Sequence, residues 1–247
     1  MRPLIAGNWK MNGLCVDLAE ARATAASLAE APAAARVAIC PPATLISRLA
    51  AEVAGSAVIV GAQDVHPMAS GAYTGDVSAA MLVDAGARMV IVGHSERRAA
   101  YGETDALVAA KAEAAAAAGL EPIVCVGETL DERQAGRAVA VVSGQVLGSI
   151  DISLGRAAFA VAYEPVWAIG SGLTPSLAEI EEIHAAIRAA LVEKLGLAGR
   201  AAPILYGGSV KPANAAEILS LKDVGGALVG GASLKAADFL QIIRAAG

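Results

Sequence analysis

The chain has 247 residues, of which 56% are hydrophobic and 17% are charged, and its formal net charge is -5. This apolar content argues against disorder, and without a basic excess nucleic acid is not expected as a partner. The sequence contains no uninterrupted apolar run of about 18 residues, so no membrane span is expected either.

The three cysteines predict reduced thiols. Cys15, Cys40 and Cys125 lie far apart, form no C-x-x-C motif, and cannot all pair within one chain because their number is odd. The apolar run after Met1 is too short for a signal peptide. Together these features predict a cytoplasmic protein.

Short apolar runs alternate with helical patterns along the chain. The runs are continuously apolar, as expected for strands that are buried on both faces of a parallel sheet. The predicted strands are residues 4–9, 37–40, 57–62, 89–92, 122–126, 159–163, 203–205 and 227–229. The predicted helices are residues 17–31, 43–54, 78–86, 104–118, 130–148, 177–195, 212–220 and 232–245. In the helix 104–118, Lys111 and Glu113 are expected to face water.

Eight strand–helix units without a long linker favour an α/β fold, namely a single closed (β/α)8 barrel domain over residues 1–247. An open doubly wound sheet is the alternative. That fold usually carries G-x-G-x-x-G after its first strand, whereas this chain has Gly7-Asn8-Trp9-Lys10-Met11-Asn12 there.

Polar residues follow five of the predicted strands. Taken singly, each has a structural explanation, such as a solvated Lys10, a core His94, a helix cap at Ser95 or ordinary turn glycines. In a closed barrel, however, all five strand ends meet at one rim, which is where barrel enzymes place their active sites. The five positions are Asn8-Trp9-Lys10, Gly93-His94-Ser95-Glu96, Glu164, Gly207-Gly208-Ser209 and Gly230-Gly231.

The glycine turns after strands seven and eight predict a phosphate site. Barrels often bind phosphate there through backbone N–H groups, and glycine allows a close approach to the backbone. The chain has no G-x-x-x-x-G-K-[ST] motif, so a phosphate monoester on a small molecule is expected rather than a nucleotide.

The other rim residues suggest a proton transfer. Glu164 could remove a proton from a carbon next to a carbonyl, His94 could polarise the carbonyl oxygen, and Lys10 could hold the charge that develops on it. Pro165 and the Gly170-Ser171-Gly172 segment after Glu164 have the layout of a movable lid. No metal or cofactor is predicted, because the three histidines lack ligand spacing and Glu181-x-x-His184 is interpreted as a helix surface.

Four long motifs resemble those of the triosephosphate isomerase family, in the order of that family. They are Gly7-Asn8-Trp9-Lys10-Met11-Asn12-Gly13, Val92-Gly93-His94-Ser95-Glu96-Arg97-Arg98, Ala162-Tyr163-Glu164-Pro165-Val166-Trp167-Ala168-Ile169-Gly170, and Tyr206-Gly207-Gly208-Ser209-Val210-Lys211 with Val229-Gly230-Gly231-Ala232-Ser233-Leu234.

The resemblance implies a TIM barrel, a role in glycolysis and gluconeogenesis, and interconversion of glyceraldehyde 3-phosphate and dihydroxyacetone phosphate through an enediolate. It implies Glu164 as base, His94 as a neutral electrophile, and Lys10 with Asn8 as substrate contacts. It also implies that Glu96 and Ser95 support the site from behind, with Glu96 orienting Lys10 or Ser95. The phosphate contacts that it implies are Gly170, Ser209, Gly230 and Gly231.

The resemblance further implies a homodimer in which the loop from Gln63 to Asp76 crosses to the partner. Thr74 is then expected to reach the partner's Asn8 and the partner's Lys10. A self-packed surface loop is the alternative.

One stretch departs from the family pattern. The second lid hinge is Ser171-Gly172-Leu173-Thr174-Pro175, where Thr-Gly-Lys-Thr-Ala is common, and its proline is expected to affect lid opening rather than chemistry. Two other functions stay open on the sequence: an aldolase or lyase with a Schiff-base lysine, and a catalytically silent barrel that acts as a scaffold.

Overall fold

A computed structural model describes residues 2–169 and 173–247. Eight parallel strands in this part of the chain form a closed barrel in sequence order, and β1 closes on β8 with Leu4 opposite Gly226. The barrel expected from the sequence is confirmed. The strands are β1 Leu4–Asn8, β2 Arg36–Cys40, β3 Val58–Ala62, β4 Met89–Val92, β5 Glu121–Val126, β6 Ala160–Tyr163, β7 Ile204–Tyr206 and β8 Gly226–Val229.

Helices connect the strands on the outside of the barrel. They are α1 Leu18–Glu30, α2 Ile46–Glu52, α3 Ala79–Asp84, α4 Ser95–Tyr101, α5 Asp105–Ala117, α6 Leu130–Gln134, α7 Ala138–Ser149, α8 Leu177–Leu195, α9 Leu197–Ala201, α10 Ala215–Leu219 and α11 Ala236–Ala245. Short 3₁₀ helices lie at Cys15–Asp17, Ala43–Leu45, Ile152–Arg156, Val166–Ala168 and Gly231–Ser233.

The period-two geometry of the strands divides the core into two layers. Alternate strand residues fill the barrel interior, and the residues between them pack outward against the helices. In β1, Leu4 and Ala6 point inward while Ile5 packs outward. The interior layer is Leu4, Ala6, Ala38, Cys40, Met89, Ile91, Ile123, Cys125, Ala160, Ala162, Leu205 and Leu228. Because side chains on both sides are buried, the strands are apolar except at Asn8, Arg36 and Glu121, which each stand at a strand end.

The predicted helices differ from the observed ones mainly where short helices fill long connections. Helices α4 and α9 were not predicted, and the predicted helix 130–148 is two helices, α6 and α7. Gly136 interrupts that helix with a φ of 69°, a left-handed conformation that ends a helix and favours glycine.

The expectation that Lys111 faces water is wrong, whereas Glu113 is exposed. Lys111 is buried, and its ammonium nitrogen lies 2.7 Å from an oxygen of Asp64 and 2.5 Å from an oxygen of Glu103. Arg97 contacts the same two carboxylates, each at 2.7 Å. This cluster joins α5 to the loop after β3 and to α4.

The surface interpretation of His184 is also wrong. His184 is fully buried on α8, where its ring packs edge-on against Tyr163 with the centroids 5.8 Å apart. Its Nδ1 lies 3.2 Å from the carbonyl oxygen of Asp223. Glu181 is exposed, so the two residues do not share a surface.

Candidate active site

A cavity of about 690 Å³ opens at the carboxyl ends of the strands. It brings together residues that are up to 230 positions apart in the sequence, from Asn8 to Asp238. Eight of the predicted site residues line it: Asn8, Lys10, His94, Glu96, Glu164, Ser209, Gly230 and Gly231. Gly170, the remaining predicted phosphate contact, lies outside the described residues.

The strand period explains why Glu164 points into this cavity. Ala160 and Ala162 of β6 face the barrel interior, and Glu164 continues the same alternation one step past the strand end. Its backbone continues the sheet, because the Glu164 N–H donates to the Val126 carbonyl at 2.8 Å. Asn8 follows Leu4 and Ala6 in the same way. The inward-facing residues of β1 and of β6 are therefore each followed by one polar side chain at the rim.

Both carboxylate oxygens of Glu164 have hydrogen-bond partners. Oε1 lies 2.8 Å from Nε2 of His94, and Oε2 accepts from the Ser95 N–H at 2.9 Å. Burial of the carboxyl, which is 1% exposed, raises the pKa of Glu164, but His94, the Ser95 N–H and the Lys10 ammonium outweigh it and lower that pKa below its ordinary value. Glu164 is therefore an ionised, buried carboxylate.

Gly127 at the end of β5 supports the backbone of Glu164. An added Cβ at Gly127 would overlap the Glu164 carbonyl oxygen, so only glycine fits this contact. Gln145 of α7 holds Gly127 through both of its backbone groups: it accepts from the Gly127 N–H at 2.7 Å and donates to the Gly127 carbonyl at 3.0 Å. Neither the role of Gly127 nor that of Gln145 can be recognised from the sequence.

His94 caps α4 with its own ring. Nδ1 accepts a hydrogen bond from the Glu96 N–H at 3.3 Å, in the first turn of the helix. A nitrogen that accepts cannot carry the proton, so the proton of the neutral ring is on Nε2 and points at Glu164. The helix N-terminus also disfavours a positive charge on the ring. The local fold thus selects a neutral imidazole that donates from Nε2.

Lys10 is held in a strained conformation beside Glu96. Its φ is 53°, in the left-handed region that residues other than glycine seldom adopt. The Asn8 side chain accepts from the Lys10 N–H at 2.9 Å, and Gln63 donates to the Lys10 carbonyl at 2.8 Å. The ammonium lies 2.6 Å from an oxygen of Glu96. Of the two residues considered for Glu96 to orient, Lys10 is the one that its carboxylate contacts.

Arg98 ties the ends of β4 and β5 together beneath the site. Its guanidinium donates to the carbonyls of Gly93 at 2.9 Å and Cys125 at 3.2 Å. It also donates to Asp105 at 2.6 Å and to the buried Ser149 hydroxyl at 2.8 Å. The position of His94, directly after Gly93, therefore depends on a side chain that the sequence analysis did not single out.

Side chains brace the two glycine turns. The Asn214 side chain donates to the Ser209 carbonyl at 3.0 Å and accepts from the Lys211 N–H at 2.8 Å. In the second turn, the Ser233 hydroxyl donates to the Gly230 carbonyl at 2.7 Å, and Trp9 donates to the Ser233 carbonyl at 3.2 Å. Both turns thus keep a fixed backbone where an anion is expected.

A buried carboxylate anchors the segment that follows Glu164. Oε1 of Glu128 accepts hydrogen bonds from Arg133 at 2.7 Å, from Trp167 at 2.9 Å and from the Tyr163 hydroxyl at 3.1 Å. Glu128 is fully buried and lies between β5 and α6. It fixes the start of the predicted lid, up to the 3₁₀ helix Val166–Ala168. In the second predicted hinge, Leu173 and Thr174 are exposed and Pro175 is buried.

Three further polar residues line the cavity without having been predicted: Asn12, Lys211 and Asp238. Lys211 is the last residue of the family motif that begins at Tyr206, but nothing in the sequence shows that its side chain borders the cavity. Asp238 is in the first turn of α11, far from any strand end in the sequence.

Residues 2–169 and 173–247 contain no cluster of three or more histidine, cysteine or carboxylate residues that could hold a metal ion. None of the helices in those ranges is both long and apolar enough to cross a membrane.

The sequence pattern of the family described as triosephosphate isomerase matches residues 3–246. The chain is 65% identical over 244 residues to the triosephosphate isomerase of Caulobacter vibrioides, covering 99% of this chain and 96% of that protein. It is 60% identical to that of Afipia carboxidovorans, with 99% and 98% covered. The crystal structure of triosephosphate isomerase from Bartonella henselae superposes with a TM-score of 0.91 at 46% identity, and 99% of each chain is covered. On fold, site and sequence, this chain belongs to the triosephosphate isomerase family.

Proposed function

We propose that this chain interconverts dihydroxyacetone phosphate and glyceraldehyde 3-phosphate with Glu164 as the base, His94 as the electrophile and Lys10 as the cation at the reacting oxygen. The observation that carries the proposal is the contact between an ionised, buried carboxylate and a neutral imidazole whose Nε2–H points at it. Both groups border the cavity that the two braced glycine turns also line.

In the proposed reaction, Glu164 takes the proton from the hydroxyl-bearing carbon next to the ketone of dihydroxyacetone phosphate. The electrons of that C–H bond form the carbon–carbon double bond of an enediolate, and the negative charge moves to the former carbonyl oxygen. His94 donates from Nε2 to the oxygens and relays a proton between them, while the Lys10 ammonium stabilises the charge. Glu164 then returns its proton to the neighbouring carbon, which yields the aldehyde.

Glu164 must change partners during this cycle. Both of its oxygens are engaged in the structure, one by His94 and one by the Ser95 N–H. To reach a carbon atom, the carboxylate gives up at least one of these hydrogen bonds. Its pKa then rises, because burial acts against its charge with less compensation, and its strength as a base increases.

We assign the phosphate group to the turns at Ser209 and at Gly230 and Gly231, together with Gly170 of the lid. Backbone N–H groups there would bind the phosphate oxygens. Closure of the lid over the bound phosphate would exclude water and suppress loss of phosphate from the enediolate. Binding energy from the phosphate, which does not react, would help to drive that closure.

We further propose a homodimer in which Thr74 reaches the partner's Asn8 and the partner's Lys10. Thr74 is exposed in this chain. Large apolar side chains are also exposed, Tyr73 at 42% beside Thr74, and Met11 at 96% and Leu14 at 72% just after Lys10. Exposed apolar groups of this size are expected to be covered by another protein surface. Sedimentation velocity over a range of concentrations tests the dimer, and a monomer at all concentrations contradicts it.

We also propose that residues 1–247 act as one domain in the cytoplasm. The pairing of β1 with β8 supports a single unit, since it joins the two ends of the chain. The free thiols of Cys15, Cys40 and Cys125 support a reducing compartment. Burial raises the pKa of Cys40 to about 12, and burial with Glu164 raises the pKa of Cys125, so both buried thiols stay protonated.

A coupled assay with purified protein and glyceraldehyde 3-phosphate tests the function. Formation of dihydroxyacetone phosphate is the expected result, without added metal or cofactor. Borohydride added with the substrate separates the aldolase alternative, which requires an imine on a lysine. A trapped imine without isomerisation would favour that alternative, and inactivity in both assays would favour a silent scaffold.

A further inference from the structure

The charges around the cavity are unfavourable for the ligand that it is proposed to bind. Two lysines and three carboxylates line it: Lys10, Lys211, Glu96, Glu164 and Asp238. With His94 neutral, their formal sum is -1, in a chain whose net charge is -5. The undescribed residues Gly170, Ser171 and Gly172 add no charged side chain. A phosphate monoester carries close to two negative charges at neutral pH, so it approaches against this sum.

The two lysines are not equivalent. The Lys10 ammonium lies 2.6 Å from Glu96, so much of its field is cancelled outside the cavity. Lys211 is exposed, and within residues 2–169 and 173–247 no carboxylate comes within 4.0 Å of its ammonium. Its backbone is fixed, because the Lys211 N–H donates to Asn214 in the braced turn that also presents Ser209.

Asp238 opposes Lys211 from the other glycine turn. It is exposed in the first turn of α11, which follows the Gly230–Gly231 turn. A carboxylate there stabilises the helix, because it faces the positive end of the helix dipole. The same charge repels an anion that approaches the turn.

We propose that Lys211 and Asp238 are an opposed pair that sets how fast and how tightly the phosphate group of the substrate is captured, with Lys211 as the steering cation and Asp238 as the repelling charge. This inference rests on the proposed function. Neither residue takes part in the chemical steps, so both act on kcat/KM and leave kcat unchanged. Their effects are electrostatic, extend beyond contact distance and are therefore screened by salt.

Charge variants at the two positions test the pair, with kcat/KM measured for glyceraldehyde 3-phosphate at low and high ionic strength. At about 20 mM salt the Debye length is about 20 Å, whereas at about 500 mM it is about 4 Å. Lys211→Gln is expected to lower kcat/KM about two- to five-fold at low salt, and Asp238→Asn to raise it by a similar factor. The double variant is expected to return close to the original chain, and all differences are expected to shrink toward one at high salt.

Two controls separate the pair from simpler explanations. Lys222→Gln removes one positive charge from an exposed site outside the cavity lining, so it should leave kcat/KM unchanged if position matters rather than net charge. Unphosphorylated glyceraldehyde lacks the dianion, so its kcat/KM should not respond to any of the variants. Asp238→Asn should also lower Tm by about 1 to 2 °C, because α11 loses its favourable first-turn charge.

Affinity for inorganic phosphate, measured by calorimetry at low salt, keeps this inference separate from catalysis. Lys211→Gln should weaken phosphate binding and Asp238→Asn should strengthen it, even if no isomerase activity is found. Equal effects of Lys222→Gln and Lys211→Gln would overturn the proposal, and so would effects that persist at high salt. An unchanged phosphate affinity in both cavity variants would also overturn it, whereas an inactive original chain with the expected affinities would overturn only the proposed function.

Discussion

At the scale of single residues, the site depends on where one carboxylate oxygen and one ring nitrogen are held. The hydrogen bond from the Glu96 N–H to Nδ1 of His94 decides which nitrogen of the ring can donate. The strand alternation of β6 decides where Glu164 points. Both determinants are features of the backbone, and neither engages the Nε2–H of His94 that is proposed to exchange a proton.

Glu164→Asp would withdraw the carboxylate by one methylene. We expect kcat to fall about 100-fold while KM changes little, because the loss is one of geometry in the transition state. Steady-state kinetics measures both parameters. Glu193→Asp, at an exposed position on α8, is the matched control and should behave like the original chain. An unchanged kcat in Glu164→Asp would refute Glu164 as the base.

Lys10→Met keeps the length of the side chain but removes its charge. We expect the affinity for an anionic analogue of the enediolate to fall about 100-fold or more, since the ammonium is proposed to stabilise charge on the reacting oxygen. A competitive inhibition constant measures the effect, with Lys222→Met as the control for loss of a surface lysine. If the inhibition constant is unaltered, Lys10 does not have this role.

At the scale of secondary-structure elements, helices outside the barrel fix the strand ends that carry the site. Arg98 of α4 reaches the carbonyls that end β4 and β5, and Gln145 of α7 holds Gly127 by both backbone groups. The rim therefore has a supporting layer that never touches the cavity contents but positions the groups that do.

Gln145→Met tests this layer with a side chain of similar shape. It removes two hydrogen bonds from Gly127, so we expect a loss of about 1–3 kcal/mol in the free energy of unfolding. A lower kcat is also expected, because Gly127 packs against the backbone of Glu164. Urea denaturation and kinetics measure the two effects. Gln241→Met, at an exposed position on α11, is the control. A destabilised Gln145→Met with full kcat would show that Gln145 has a structural role only.

The sequence predicted the elements that lie in the barrel wall better than the layers around it. A strand buried on both faces leaves an apolar run that can be seen locally, which is why 89–92 coincides with β4. Lys111 could not be placed, because its partner Asp64 is 47 residues away and propensity alone puts a lysine in water. Arg98 and Gln145 were missed because the contacts by which they hold the strand ends are to backbone carbonyls and a backbone N–H, which carry no residue-specific signal.

The candidate site was easier to predict than its support. Asn8 ends an interior row at the last residue of β1, and Glu164 and Gly230 each continue such a row one residue past β6 and β8, so a barrel alone brings all three to one rim. Lys10, His94 and Ser209 also follow predicted strands, and the long family motifs implied the same three residues. Asp238 enters the cavity from a helix rather than from a strand end, and so neither the strand rule nor the motifs pointed to it.

At the scale of the whole molecule, a buried histidine couples folding to pH. Burial lowers the pKa of His184 from 6.5 to about 4, outweighing its contact with the Asp223 carbonyl. Between these two values the unfolded chain binds a proton that the folded chain excludes. Stability contributed by the neutral ring is therefore present above pH 6.5 and is lost as the pH falls toward 4.

We expect this one residue to contribute up to about 3 kcal/mol of the stability lost between pH 7 and pH 4. Denaturant titrations across that range measure it. His184→Asn should lower stability at pH 7 but flatten its dependence on pH. If His184→Asn keeps the full slope, carboxylates rather than this ring govern the acid transition.

The glycine at position 127 limits how this barrel can vary. A single methyl group there would displace the carbonyl of the residue that carries the base, so the wall cannot absorb it by moving a flexible side chain. If codon 127 is randomised and cells are selected for growth that requires the isomerase activity, only glycine should be recovered. Outward positions in the preceding strand β5 should tolerate several amino acids, and the contrast would show how far the demands of catalysis extend into the barrel wall.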